Sequence, residues 1–244
     1  MKIHTAKNRY LLPSIISGAL LFLILIHTSF TNLVIGNIFF GKVPVLYNVT
    51  LANFFFKRAS YPLLQKPVML AHYQLGRTYF IQGKLEHALM EIEKEVSLYP
   101  ENKHSYYMLG LTYAYLNKER LAIESFDAFL EWMPDSWAGR NDKAWLEFRI
   151  GKIDDALETI EPVAHLTDNP WVQNTYGVIL MNKGEYQKAL TAFLYAKTTA
   201  LSLTDEGWGK AYPGNDPRIY SMGLDAMRKS IEKNLQLITK KLTD

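Results

Sequence analysis

The chain has 244 residues, 48% of them hydrophobic and 13% aromatic, which is enough for a packed core and too apolar for a disordered chain. Cysteine is absent, so disulfide frameworks, thiolate zinc sites and cysteine nucleophiles are excluded. The formal charge of +3 arises from 27 basic and 24 acidic residues, and Lys2, Lys7 and Arg9 account for the excess; the otherwise neutral body lacks the charge that binding nucleic acid requires.

The first element is "LLPSIISGALLFLILIHTSF", residues 11–30, in which no Asp, Glu, Lys or Arg appears for twenty positions. At 1.5 Å per residue, about twenty residues cross the roughly 30 Å hydrocarbon core, so a single transmembrane helix is predicted over 10–30. Pro13 falls in the first turn, where a missing amide proton costs little. A cleaved secretory signal would have a shorter apolar core and a small-x-small site; His27, Thr28 and Ser29 stand there instead, which favours a retained anchor. Three basic residues precede the span and only Lys42 lies in the twenty residues after it. The positive-inside rule then places residues 1–9 in the cytoplasm and the remainder outside it, in the periplasm or cell exterior for a bacterial inner membrane.

Residues 31–68 are expected to be a linker. Within it, "LYNVTLANFFFKRASYP" spaces Ala52, Phe56 and Ala59 like the second helix of a half repeat. The same stretch reads equally as an amphipathic segment on a bilayer surface, with Phe54, Phe55, Phe56, Lys57 and Arg58 suited to that location.

From residue 69 the chain becomes periodic. "LGRTYFIQGKLEHALMEIEKEVSLYP", from Leu75 to Pro100, is answered thirty-four positions later by "LGLTYAYLNKERLAIESFDAFLEWMP". Apolar residues recur at three-and-four spacing over paired segments that break near Gly83, Asn117, Gly151 and Gly184, which predicts helical hairpins. Small residues stay in phase: Gly76, Gly110, Ala144 and Gly177 at one register, Ala88, Ala122, Ala156 and Ala189 at another. Such residues let two helix backbones approach closely.

These features resemble the tetratricopeptide repeat family, whose 34-residue period and Leu-Gly, Tyr, Ala, aromatic, Pro pattern they follow. Leu75, Gly76, Tyr79, Gly83, Ala88, Ile92 and Pro100 carry the first copy, and Leu109, Gly110, Tyr113, Ala122, Phe126 and Pro134 the second. The third keeps Gly151, Ala156 and Ile160 but has Lys143 for Leu and Asp168 for Pro; the fourth restores Tyr176, Gly177, Gly184, Tyr186, Ala189, Phe193 and Ala196. The resemblance implies an all-α helical-hairpin solenoid of about four units, 69–102, 103–136, 137–169 and 170–203. Neither the anchor nor the last forty residues is covered by it.

Residues 204–244 contain the turn-rich "GWGKAYPGNDP", 207–217, in which Asp216 and Pro217 mark a helix start. Tyr220, Leu224, Met227, Ile231, Leu235, Ile238 and Leu242 make one apolar stripe, expected to cap the stack, since each hairpin buries a face only against its neighbour. The spacing also permits a coiled-coil dimer.

No catalytic signature stands out. The six histidines show no His-x-x-x-His spacing, no nucleophile-elbow, Walker or Rossmann pattern occurs, and the acid pairs Asp154/Asp155 and Glu91/Glu93 read as solvated charges on helix surfaces. An enzyme, a metal or a cofactor is not expected. The resemblance instead implies a concave groove, whose positions map to Tyr73, Arg77, Phe80, Tyr107, Leu111, Tyr115, Asn141, Trp145, Phe148, Arg149, Asn174, Val178 and Met181. Aromatic rings there give contact area at low rotamer cost, Asn141 and Asn174 can pair with a peptide backbone, and Arg77 and Arg149 can grip a carboxylate. The family's clamp for acidic C-termini is not reproduced, because Tyr73 and Arg77 stand where Lys and Asn would be needed. The expectation is a membrane-anchored scaffold that captures a peptide or helix of a partner protein. A self-assembling subunit and a cytosol-facing receptor of reversed topology are the alternatives.

Overall fold

The computed structural model describes Ser17 together with residues 28–41, 45–63, 65–211 and 220–243, and every regular element among them is helical. In chain order these are α1 (Ser29–Phe40), α2 (Val49–Ser60), α3 (Ala71–Ile81), α4 (Leu85–Leu98), α5 (His104–Tyr115), α6 (Glu119–Leu130), α7 (Trp137–Arg149), α8 (Ile153–Ile160), α9 (Pro170–Asn182), α10 (Tyr186–Ser202), α11 (Asp205–Ala211) and α12 (Tyr220–Thr243). Pairs α1/α2, α3/α4, α5/α6, α7/α8 and α9/α10 pack as hairpins, each hairpin rests on the next, and α12 lies on α10.

Four hairpin turns share one mechanism. Gly83, Gly151 and Gly184 have φ of 71°, 83° and 80°, and Asn117 has 54°. With this left-handed conformation, open to glycine and tolerated by asparagine, the residue's own amide and the next one both turn back onto the ending helix. Gly151 N donates to Phe148 O at 3.0 Å and Lys152 N to Glu147 O at 2.8 Å, and the same pair of bonds recurs at the other three turns.

The phased small residues explain how the two helices nest. A Cβ placed on Gly76 would lie 2.5 Å from Ile92 Cγ1, one on Gly110 2.7 Å from Phe126 Cε1, and one on Gly177 2.6 Å from Phe193 Cε1. The absent methyl is therefore the space that the partner helix fills. Ile92, Phe126 and Phe193 are fully buried, each contributing about 2–3 kcal/mol of burial free energy. The third unit uses Ala144 against Ile160 at the same step, both fully buried. Its second helix is short because Pro162 lacks an amide proton; the chain continues only as a 3-10 turn, Glu161–Val163. Lys143, which departs from the repeat pattern, reaches Asp127 at 2.6 Å and Glu147 at 3.5 Å.

The N-terminal end differs from expectation. The predicted span 10–30 lies almost wholly outside the described residues, but its last part does not continue as one helix. Thr28 is extended (φ −70°, ψ 146°), its hydroxyl accepts from Thr31 N at 3.1 Å, and Ser29 opens α1. Where a linker from 31 was expected, α1 and α2 instead form a complete hairpin. Gly36 nests on Phe56 as Gly110 does on Phe126, its would-be Cβ 2.5 Å from the ring. The half repeat is thus a whole one, lengthened at its turn. Among the described residues no helix is long and apolar enough to cross a membrane.

At the other end, Ile231, Leu235 and Ile238 are buried against α10, with Met227 and Leu242 packed beside them, and Leu224 is buried as well. From Leu224 onward the apolar stripe of α12 is turned onto the stack rather than toward a second copy. Arg228 completes the attachment: its guanidinium donates to the carbonyls of Ala200 and Leu203, both at 3.0 Å, satisfying groups orphaned where α10 ends.

Glu91 is a second correction. Its partner in the sequence pattern, Glu93, is exposed, but Glu91 is 2% exposed and faces the preceding hairpin. It accepts from Tyr61 OH at 2.6 Å and lies 2.6 Å from His72 Nδ1. Periodicity within α4 could not show this, because the covering hairpin was not recognised. Burial alone would push this carboxyl up, but the hydrogen bonds of His72 and Tyr61 and the charges of His72 and Lys94 outweigh it and hold the group below its ordinary value of 4.5. A carboxylate with a depressed folded pKa adds stability above the unfolded value and withdraws it as pH falls through the folded one. Stability should therefore decline on acidification below pH 4.5, and Glu91→Gln should flatten that limb while costing about 1–3 kcal/mol at neutral pH. Urea titrations across acidic pH check both; an unchanged limb in the variant would assign the acid sensitivity elsewhere.

Candidate functional site

The first helices of the later hairpins, with α11 and α12 at the far end, enclose a groove of about 670 Å³. Seven of the thirteen expected residues line it: Phe80, Leu111, Tyr115, Asn141, Trp145, Arg149 and Asn174. Tyr115 and Trp145 are the open faces, at 65% and 42% exposure. Phe80 meets Tyr115 edge-on with centroids 5.2 Å apart, and Trp145 stacks on Phe148 at 5.5 Å.

The other six serve packing. Tyr73, Tyr107 and Val178 are 5–8% exposed and belong to the cores between helices. Tyr107 tilts against Phe126 and Phe129 and donates to Asp142 Oδ2 at 2.8 Å. Phe148 and Met181 are partly buried against the α9–α10 core. Arg77 cannot grip a ligand carboxylate, because α1 occupies its side of the stack: its guanidinium sits 4.8 Å over the Phe40 ring and donates to Gln74 Oε1 at 2.9 Å. Apart from Arg77, the cause is shared. Helices such as α5 and α9 are apolar on most sides, so spacing alone does not say which ring faces outward.

Residues 71–102 and 104–136 match the family model described as Tetratricopeptide repeat. Two consecutive hairpins, α3/α4 and α5/α6, thus match that repeat model. The stack is similar to solved structures in fold: YrrB, a TPR protein with an unusual peptide-binding site, at 20% identity and a TM-score of 0.58, over 70% of this chain and 86% of that one. MamA from AMB-1 matches at 19% identity and a TM-score of 0.55, over 69% and 98%, and MamA from MSR-1 at 20% and 0.53, over 62% and 86%. No curated protein matches the chain.

The groove also contains side chains the pattern did not point to. Trp171 follows the helix start made by Asn169 and Pro170, where Asn169 Oδ1 accepts from Val172 N at 3.1 Å; Asn-Pro ahead of an apolar run was a readable signal. Trp208, on α11, had none, since a seven-residue helix in a turn-rich stretch leaves no periodic trace. Its indole packs on Gly223 of α12, which fixes the far wall. Asp142 adds a carboxylate beside Asn141.

Polar groups in the groove are already engaged with one another. Asn141 Nδ2 donates to Asp142 Oδ1 at 3.0 Å, Asn174 Oδ1 accepts from Asn234 Nδ2 at 2.9 Å, and Arg149 reaches Glu119 at 3.3 Å. The Arg149–Glu119 pair is solvent-facing and weak, so a bound carboxylate can displace it. Among the described residues no group of His, Asp and Glu is placed to hold a metal ion.

Proposed function

We propose that this chain is a membrane-tethered scaffold whose tetratricopeptide groove holds an extended segment or helix of a partner protein close to the bilayer. The observation that carries the reading is the run of rings along one concavity, Phe80, Tyr115, Trp145, Trp171 and Trp208, interleaved with Asn141, Asp142, Arg149 and Asn174. Rigid aromatic faces supply apolar area at small entropic cost, and the amides and charges between them match the alternating donors and acceptors of a peptide. A groove of this size buries on the order of 1,000 Å² in a complex, the transient end of specific interfaces. YrrB, a protein of like fold, has a peptide-binding site, which supports a peptide as the ligand here. The tether rests on the uncharged apolar stretch 11–30 and its basic flank, with the N-terminus in the cytoplasm and the stack outside it.

Photocrosslinking in membranes, with the reactive residue at Tyr115 or Trp145, should yield one dominant protein adduct. Replacing both residues by Ala should weaken capture of that partner roughly 30-fold or more, the effect of losing about 2 kcal/mol at a central anchor, while the helical signal stays intact. Undiminished capture by the folded double variant would remove the groove from consideration.

A further inference from the structure

In every later hairpin, the position two residues beyond the small nesting residue is covered by the hairpin before it: Thr78, Thr112, Leu146 and Ile179 are 0–2% exposed. In α1 that position is Ile38, at 49% exposure, and the preceding turns on the same side present Val34 and Phe30. Leu51 and Phe54 extend the open apolar surface onto α2. Terminal units of stacked repeats ordinarily turn a polar face outward, as α12 does with Lys229, Glu232, Lys233 and Lys240. Among the described residues the N-terminal end shows no such face, and α1 has no charged residue at all.

The charge around that end has one sign. Lys57 and Arg58 lie on α2, with the Arg58 guanidinium 5.8 Å over the Phe54 ring, and Lys66 follows in an exposed loop. The chain holds nine basic residues and no acidic one before Glu86, against 18 basic and 24 acidic from Glu86 onward. An apolar stripe rimmed by cations and free of acids is the composition that settles into an anionic headgroup layer. A second copy of this chain would bring the same cations together, so pairing of like ends is opposed. The acid-rich remainder of the stack is repelled by the same surface.

The geometry points to the outer face of the α1–α2 hairpin as a docking surface for an anionic bilayer, with Phe30, Val34 and Ile38 at the acyl boundary and Lys57 and Arg58 at the headgroups. Its placement rests on the tethered reading above; its chemistry does not. Docking there would orient the whole stack, because α1 and α2 are rigidly nested through Gly36 and Phe56.

The absence of native cysteine allows single labels at Val34, Ile38 and Phe54, with Leu20 and Lys233 as controls, in the otherwise intact chain. The protein is reconstituted into vesicles of phosphatidylglycerol and phosphatidylcholine containing doxyl-labelled lipid, and bimane fluorescence at each site is read. Quenching at 34, 38 and 54 but not 233, lost in phosphatidylcholine alone, at high salt, or with Lys57→Glu and Arg58→Glu, is expected. Quenching at 20 with none at 34 and 38 would overturn the docking face and leave the tether standing. Quenching at 34 and 38 without 20 would uphold the face and sink the tether. Absence at 20, 34 and 38 alike would end both. Protection from water without lipid quenching would mean that residues 10–27 or a second copy cover the face, told apart by dependence on protein density, and either would overturn the proposal.

Discussion

Replacing Phe126 by Ala should lower the unfolding free energy by about 3–5 kcal/mol, the range for removing a fully buried aromatic ring. The ring sits in the gap that Gly110 leaves and 5.6 Å from the Tyr107 centroid, so its loss opens a void between the two helices of a hairpin and beside the next one. Gly110→Ala approaches the same contact from the other side. The added methyl would meet ring carbons at 2.7–2.8 Å, and the overpacking, about 1–3 kcal/mol, exceeds the roughly 1 kcal/mol that alanine gains over glycine in a helix. The two changes touch one contact, and the double variant should cost less than the sum of the singles because the methyl partly refills the void. Urea titrations followed by circular dichroism measure all three. Strict additivity would show that the glycine and the ring are not partners.

Glu95→Ala should cost about 3 kcal/mol, although the residue looks like an ordinary helix-surface acid in the sequence. Its carboxylate is fully buried and accepts from Leu70 N at 2.6 Å, Tyr73 N at 3.2 Å and Asn102 Nδ2 at 3.0 Å. Leu70, the residue just before helix α3, stands in a left-handed conformation at φ 76° and offers no side-chain cap, so the cap is lent by α4. Removing it strands two backbone donors and an amide out of reach of water, a penalty larger than the bonds themselves are worth. Glu95→Gln keeps one acceptor oxygen and should fall between. Hydrogen exchange at Leu70 and Tyr73 separates this account from general destabilisation, since those amides should lose protection first. Uniform loss across the stack would argue against a local cap.

What was legible in the sequence follows from which contacts are local. The turn residues Gly83, Asn117, Gly151 and Gly184 and the nesting steps Gly76, Gly110, Ala144 and Gly177 are set within one hairpin, and their spacing announced them. Contacts between hairpins were not readable in the same way. Glu91 belongs to such a junction through Tyr61, Glu95 caps α3 from the other helix of its own hairpin, and both are buried where a single-helix pattern predicts solvent. In the groove, Tyr115 and Trp145 are displayed while Tyr73 and Tyr107 are packed, although all four sit on first helices of hairpins. The difference lies in rotation of each helix about its axis, which an all-round apolar sequence does not encode. Arg77 was misread because α1, and with it Phe40, had no recognised place.

Gly36 and Phe56 stand twenty positions apart, whereas Gly76 and Ile92, Gly110 and Phe126, and Gly177 and Phe193 are each sixteen apart, yet all four contacts have the same form. Loop closure grows only slowly dearer with length, about 0.6 kcal/mol per doubling, so a longer turn perturbs the coil pair very little. Periodicity in such a molecule is therefore kept in space rather than in the text. Each coil pair is its own ruler, and ancestral units can drift out of numerical step through insertions while remaining stacked, invisible to any search that counts residues.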